Sequence, residues 1–201
     1  MSIPHSHRRR LTAAGLGAVL MLAAACEDDP AEPIPGGGDP ENISRVTVTL
    51  TPQGGGTAQS SVVIDPDGTG GPQPPSAPSA TLALSRGVTY DGDIQIANDL
   101  DPSNVVDIDE EVREEANFHR LVHTFTCAPD VDAPVESYDT DTQEPPQPLG
   151  LTFDVVVAAD AAVTSDCIMN VELRHFESDK GDGLGSNYET DLDLDFPVSV
   201  Q

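Results

Sequence analysis

The chain has no tryptophan, a single lysine at position 180, five phenylalanines and three tyrosines, and its nine basic side chains stand against 35 acidic ones in 201 residues. Cations this few cannot track a phosphate backbone, so no nucleic-acid partner is expected. The scarcity of aromatic faces counts against a carbohydrate platform, which needs flat rings to stack on. No apolar run reaches the ~20 residues that a membrane-spanning helix requires. Catalytic signatures are equally scarce. There is no G-x-S-x-G elbow, and Gly54-Gly55-Gly56 leads from one strand-like stretch into another, which makes it a turn rather than a phosphate cradle. Neither an enzyme nor a cofactor is expected.

What is present begins with an address. Arg8, Arg9 and Arg10 precede an apolar, small-residue run from Leu11 to Ala25, and Cys26 follows three alanines. That order describes a signal peptide over residues 1–25. It resembles the bacterial lipoprotein lipobox, with Leu22 four rather than three residues before the cysteine, and the resemblance implies lipidation of Cys26. An ordinary cleavable signal with a free cysteine is the alternative. Arg8-Arg9-Arg10-Leu11 also resembles a twin-arginine export signal, so both export routes stay open. Removing residues 1–25 takes away three arginines and no acid, leaving six basic against 35 acidic groups and a formal charge of −29. Abundant Asp with almost no Lys resembles proteins of salt-adapted organisms, in which screening shortens the reach of self-repulsion.

From Glu27 to Asn42 the sequence EDDPAEPIPGGGDPEN has four prolines, three consecutive glycines and six acids. Such a composition cannot bury a core, so residues 26–42 are expected to form a flexible tether carrying the lipid. Residues 43–201 then form the domain. Val46, Val48 and Leu50 alternate with threonines, Val88, Tyr90, Ile94 and Ile96 with polar residues, and Leu192, Leu194, Phe196, Val198 and Val200 with Asp191, Asp193 and Asp195. Period-two alternation describes strands with one wet face. Further strands are expected at 61–64, 80–85, 118–126, 151–159 and 167–176, and a short surface helix within 105–117. The fold expected is all-β, a single antiparallel sandwich of Ig-like type with about eight strands. Two long proline-rich connections, 65–79 and 128–150, are candidates for function or disorder.

Several of these segments together resemble an uncharacterised family of Gram-negative surface lipoproteins. The likeness is carried by Val48-Thr-Leu-Thr-Pro-Gln-Gly-Gly-Gly56, Asp65-x-Asp67-Gly68, Thr89-Tyr90-x-Gly92-x-Ile94 leading to Asn98, Glu114-Glu115-Ala116-x-x-His119, and Glu189-Thr190-Asp191 before Phe196-Pro197-Val198. It covers residues 43–201. Some members carry the name "type 1 periplasmic binding domain-containing protein", although such a domain is a larger two-lobed α/β unit that the strand pattern here excludes. The resemblance implies an envelope setting and a lipid anchor, most naturally in the outer membrane, and no particular activity.

Three sets of side chains are candidates for chemistry. With Cys26 taken by lipid, Cys127 and Cys167 are left to pair in an oxidising compartment, the alternative being two buried thiols. The proline-rich connection 128–150 is long enough to cross the sandwich and bring them together. His119 and His123 would share a metal on a helix, but on a strand they stand ~13 Å apart, and Phe118, Leu121, Val122 and Phe125 favour a strand. His175, in phase with Val171 and Leu173, would join them only through the topology, so core or edge histidines are expected and no metal site is assigned. Asp65 and Asp67 are the leading carboxylates for a calcium loop, though the glycine comes two residues early for an EF-hand and no later Glu completes it. The function expected is therefore a non-catalytic structural or interaction module of the cell envelope, with a membrane partner through its lipid and an envelope protein or glycan as a further partner. A ligand-binding module for calcium or glycan is the alternative.

Overall fold

A computed structural model describes residues 41–201. Cys26, with the proposed signal and most of the tether, lies outside the described residues. The chain forms β1 (Arg45–Pro52), β2 (Gln59–Ile64), β3 (Leu82–Leu84), β4 (Thr89–Asn98), β5 (Val106–Asp107), α1 (Ile108–Glu114), β6 (His119–Phe125), β7 (Val131–Asp132), β8 (Thr152–Val157), β9 (Thr164–Phe176) and β10 (Tyr188–Val200). One sheet has the order β2-β1-β4-β8-β7 with β5 beside β4, and the other the order β3-β10-β9-β6. The fold is an all-β sandwich.

Alternation explains the strands. β1 buries Val46, Val48 and Leu50, β4 buries Tyr90, Ile94 and Ile96, and β9 buries Cys167, Met169, Val171, Leu173 and His175. Each fully buried Leu, Ile or Phe stabilises the fold by roughly 1.5–3 kcal/mol relative to exposure. The Gly54–Gly56 run is the β1–β2 turn, with Gly55 and Gly56 at φ +86° and +141°. Helix α1 carries Asp109, Glu110 and Glu111 in its first turn, where the helix dipole favours acids.

Three features depart from the expected pattern. First, β3 pairs parallel to β10, Leu82 opposite Val198, so the sandwich is not wholly antiparallel. Because β3 is so short, it covers only the C-terminal end of β10. Leu194, expected to face the core, packs against it but is only half-buried, beside a groove. Second, the β9–β10 register shifts between Thr190 and Leu192. This bulge turns Asp191, expected on the wet face, into the interior, leaving its side chain 1% exposed. Third, Glu41, placed in the tether by its composition, is only 6% exposed, so the fixed part of the domain reaches back at least to this residue.

Candidate functional site

The β6–β9 ladder pairs His119 with His175, Leu121 with Leu173, His123 with Val171 and Phe125 with Met169. Two residues further along lies the Cys127–Cys167 disulfide, with Cα atoms 5.3 Å apart. The chain reaches it because residues after Cys127 leave for the other sheet, forming β7 and β8 there before returning as β9. His119 and His123 thus lie on one strand and face the same interior, but they belong to different neighbourhoods.

His123 stacks on Phe153, ring centroids 3.9 Å apart, and its Nε2 lies 2.7 Å from the Gly150 carbonyl. Burial pushes its pKa down to about 4, against the raising influence of the Gly150 carbonyl. The Tyr138 hydroxyl accepts the His123 backbone N–H, and burial pushes that phenol up to about 12. His123 is an apolar-face core histidine held neutral by its surroundings.

His119 is different. Its side chain is wholly buried and its Nε2 lies 2.8 Å from Glu41 Oε1. The other ring nitrogen, Nδ1, lies 3.2 Å from the Glu115 carbonyl. His175 faces it across the ladder, ring centroids 4.4 Å apart. The His175 Nδ1 is 3.6 Å from Asp191 Oδ2 and 3.9 Å from Glu41 Oε2. Three adjacent strands of one sheet, β6, β9 and β10, therefore each supply one polar group, and the segment entering the opposite sheet supplies the fourth. Ligand atoms of Glu41, His119, His175 and Asp191 all lie within 4.8 Å of one another, and all four residues are buried. Burial alone would raise the Glu41 carboxyl, but its contact with His119 and the neighbouring Asp191 outweigh it and hold it down at about 2. Asp191 is pushed up to about 8 by burial first and by Glu41 next. Two carboxylates this close need a proton or a cation between them.

Beside this cluster the chain's only lysine is buried. Lys180 Nζ has Asp141 Oδ2 at 3.0 Å, the Ala116 carbonyl at 2.6 Å and the His119 carbonyl at 2.9 Å. It ties the 177–187 connection to both the proline-rich connection and the backbone of His119. Asp141 Oδ1 accepts the Gln143 and Gln147 amides, and Asp139 Oδ1 those of Gly150 and Thr152. The acids of the 128–150 connection thus fold that connection upon itself.

Asp65 and Asp67 are similarly occupied. Asp65 Oδ1 accepts the amides of Asp67 and Gly68, and Asp67 Oδ2 accepts the backbone and side-chain N–H groups of Gln73. Their loop closes one side of a groove of about 450 Å³ that runs from Pro72–Pro75 past Ile43 to Asp191–Leu194 and includes no aromatic residue. The groove lies along the part of β10 that β3 leaves uncovered.

Sequence reasoning left the histidines as core or edge positions of strands and missed Glu41 and Asp191 as their companions. Glu41 was hidden by the tether composition around it, and Asp191 by a bulge that interrupts a regular alternation. The phase shared by His175, Val171 and Leu173 was the one signal pointing inward. Comparison of the chain with protein-family models, with curated proteins and with solved structures finds no match.

Proposed function

We propose that this chain is a lipid-anchored protein of the bacterial cell envelope, most naturally in the outer membrane, whose sandwich is a non-catalytic structural or interaction module. The observation that carries the reading is the order of segments along the sequence: three arginines, an apolar run of small residues, Cys26, an acidic Pro/Gly-rich stretch, and only then strand-forming alternation. The resemblance to surface lipoproteins points the same way. Burial of the most perturbed acid–base groups, Glu41 and Asp191, favours a structural role over turnover, because a substrate needs access to them. Among the described residues no helix is long and apolar enough to cross a membrane, so anchoring in this reading falls to the lipid.

The groove beside β10 gives a ligand-binding alternative a location. Its lining offers a sugar no ring to stack on, and one oxygen of each of Asp65 and Asp67 is already engaged by their own loop, which leaves calcium far short of the six to eight oxygens it takes. Both facts favour the interaction module. The anchor is tested by expressing the full chain and its Cys26→Ser variant in a Gram-negative host and separating them between detergent and aqueous phases. The natural chain is expected in the detergent phase, and the variant in the aqueous phase or retained unprocessed. Equal recovery of both in the aqueous phase would overturn the anchor.

A further inference from the structure

We propose that Glu41, His119, His175 and Asp191 form a closed four-coordinate site for a zinc-like divalent transition metal, which fastens the entry of the domain to its second sheet. The donor set is two imidazoles and two carboxylates drawn from four separate segments. Zinc bonds of about 2.0–2.2 Å in a tetrahedron place neighbouring donors roughly 3.3–3.6 Å apart. Three separations here are 2.8, 3.6 and 3.9 Å, the first and last through different oxygens of Glu41, and one donor atom from each residue lies within 4.8 Å of every other, so side-chain movements that draw the donors in around a central ion would meet that spacing.

Three further observations point to a cation. Glu41 Oε2 and Asp191 Oδ2 are buried with no hydrogen-bond partner, although each residue is more than nine-tenths buried. An orphaned buried carboxylate oxygen is costly and needs a partner. The contact of His119 Nδ1 with the Glu115 carbonyl assigns the ring proton to Nδ1. The lone pair of Nε2 then faces Glu41 Oε1 at 2.8 Å, an arrangement that requires a proton or a metal between them. Such a carbonyl behind a histidine is the usual support of a metal ligand. Finally, the Lys180 ammonium holds the His119 carbonyl at 2.9 Å, fixing the backbone from which the ligand projects.

The donor chemistry selects the metal class. Calcium takes six to eight oxygens and magnesium an octahedral shell with several waters, whereas imidazoles with carboxylates in a dry pocket suit zinc and its first-row neighbours. Burial of all four donor residues marks a structural rather than a catalytic site. The inference does not depend on the lipid anchor.

The test uses the full chain in detergent, stripped with EDTA and held in excess magnesium so that surface acids are already occupied. Zinc is added and free metal removed by gel filtration, with cobalt as the spectroscopic probe in parallel. One zinc per chain is expected to remain, cobalt is expected to give the strong visible absorption of a tetrahedral site, and EDTA is expected to lower the melting temperature of the natural chain. His119→Gln and Asp191→Asn should each bind at least tenfold more weakly, while Asp65→Asn keeps the full equivalent. If the natural chain retains no zinc, or cobalt shows only weak octahedral absorption, the four groups share a proton and the proposal fails. It fails equally if well-folded His119→Gln retains one zinc. The chelation and cobalt measurements need no variant, so misfolding of a substituted chain does not shield the proposal.

Discussion

At one end of the β6–β9 ladder Cys127 and Cys167 are joined covalently, while at the other His119 and His175 face each other among buried carboxylates. Both ends are places where the chain enters or leaves a sheet, and both carry a cross-link. The disulfide is self-sufficient, since it places no charge in the core and asks nothing of its neighbours. The polar end is interdependent: Glu41, His119, Asp191, Lys180 and Asp141 are each buried, and each group's partner is another buried polar group. Removing one member there strands another in a medium that cannot solvate it. The same ladder is thus closed once by a bond and once by a network.

The sharpest way to break the polar end is Lys180→Ala. Both side chains of the Lys180–Asp141 pair are 0% exposed, and leaving one such partner unpaired typically costs ~3–5 kcal/mol. Urea unfolding is expected to show a loss in this range, and Lys180→Ala combined with Asp141→Asn, which removes the stranded charge but keeps the oxygen that accepts the Gln143 and Gln147 amides, to recover part of it. A loss below ~1 kcal/mol would mean that water replaces the ammonium without penalty. At the covalent end, replacing both Cys127 and Cys167 by Ser releases a closed loop spanning a sequence separation of 40. The loss expected from chain entropy is ~3–4 kcal/mol, with a single cooperative transition retained. Dithiothreitol should lower the natural chain to the same midpoint and leave the double variant unmoved.

Much of the apolar half of this comparison was legible in the sequence. Val46, Val48, Leu50, Phe196 and Val198 announce their faces by alternation, a local property that survives into the fold because sheets bury one face. Counting cysteines, with Cys26 assigned to lipid, left Cys127 and Cys167 either to pair or to stay as buried thiols. The polar half was hidden because it is non-local. Glu41 and His119 are 78 positions apart in the chain and meet only once it has folded, and nothing in EDDPAEPIPGGGDPEN distinguishes the last acid from the rest. Asp191 is misread for the opposite reason: the alternation around it is so regular that the bulge which reverses its direction leaves no trace. The solitary lysine was visible from composition, but its burial was not, since lysines are seldom found inside.

A third measurement isolates His123, the apolar-face histidine of β6. His123 is held down at about 4 by burial, against an ordinary 6.5. Between those values the unfolded chain binds a proton that the folded chain refuses, so stability is fully present above pH 6.5 and falls as pH drops towards 4. The decline is ~1.4 kcal/mol per pH unit at its steepest, or roughly 3 kcal/mol over the window. Tyr138, the titratable neighbour facing His123 from the proline-rich connection, stays neutral throughout. His123→Gln retains an N–H for the Gly150 carbonyl and cannot titrate. Its unfolding free energy is therefore expected to vary less with pH than that of the natural chain, and the difference between the two curves isolates the imidazole from the acids that titrate below. Parallel curves would place His123 in contact with water.

The smallest effect is expected where the acids are most numerous. Surface carboxylates repel one another, and any salt relieves that repulsion until screening saturates. At about 0.5 M NaCl the screening length is under ~5 Å and little remains to relieve. A specific calcium site would add a further RT ln(1 + [L]/Kd), ~2.7 kcal/mol at a hundredfold excess of the ion over Kd. Asp65 and Asp67 are the loop carboxylates best placed to supply such a site, yet each already accepts two hydrogen bonds from its own loop. Asp67 Oδ1 is buried with no hydrogen-bond partner, but two carboxylates fall well short of the six to eight oxygens calcium takes, and the buried cluster offers it two nitrogens where it prefers oxygen. Millimolar calcium is therefore expected to move the melting midpoint no further than equimolar magnesium. A rise specific to calcium that Asp65→Asn removes would show that the loop reorganises around the ion, and would make its hydrogen bonds the resting state of a binding site rather than its replacement.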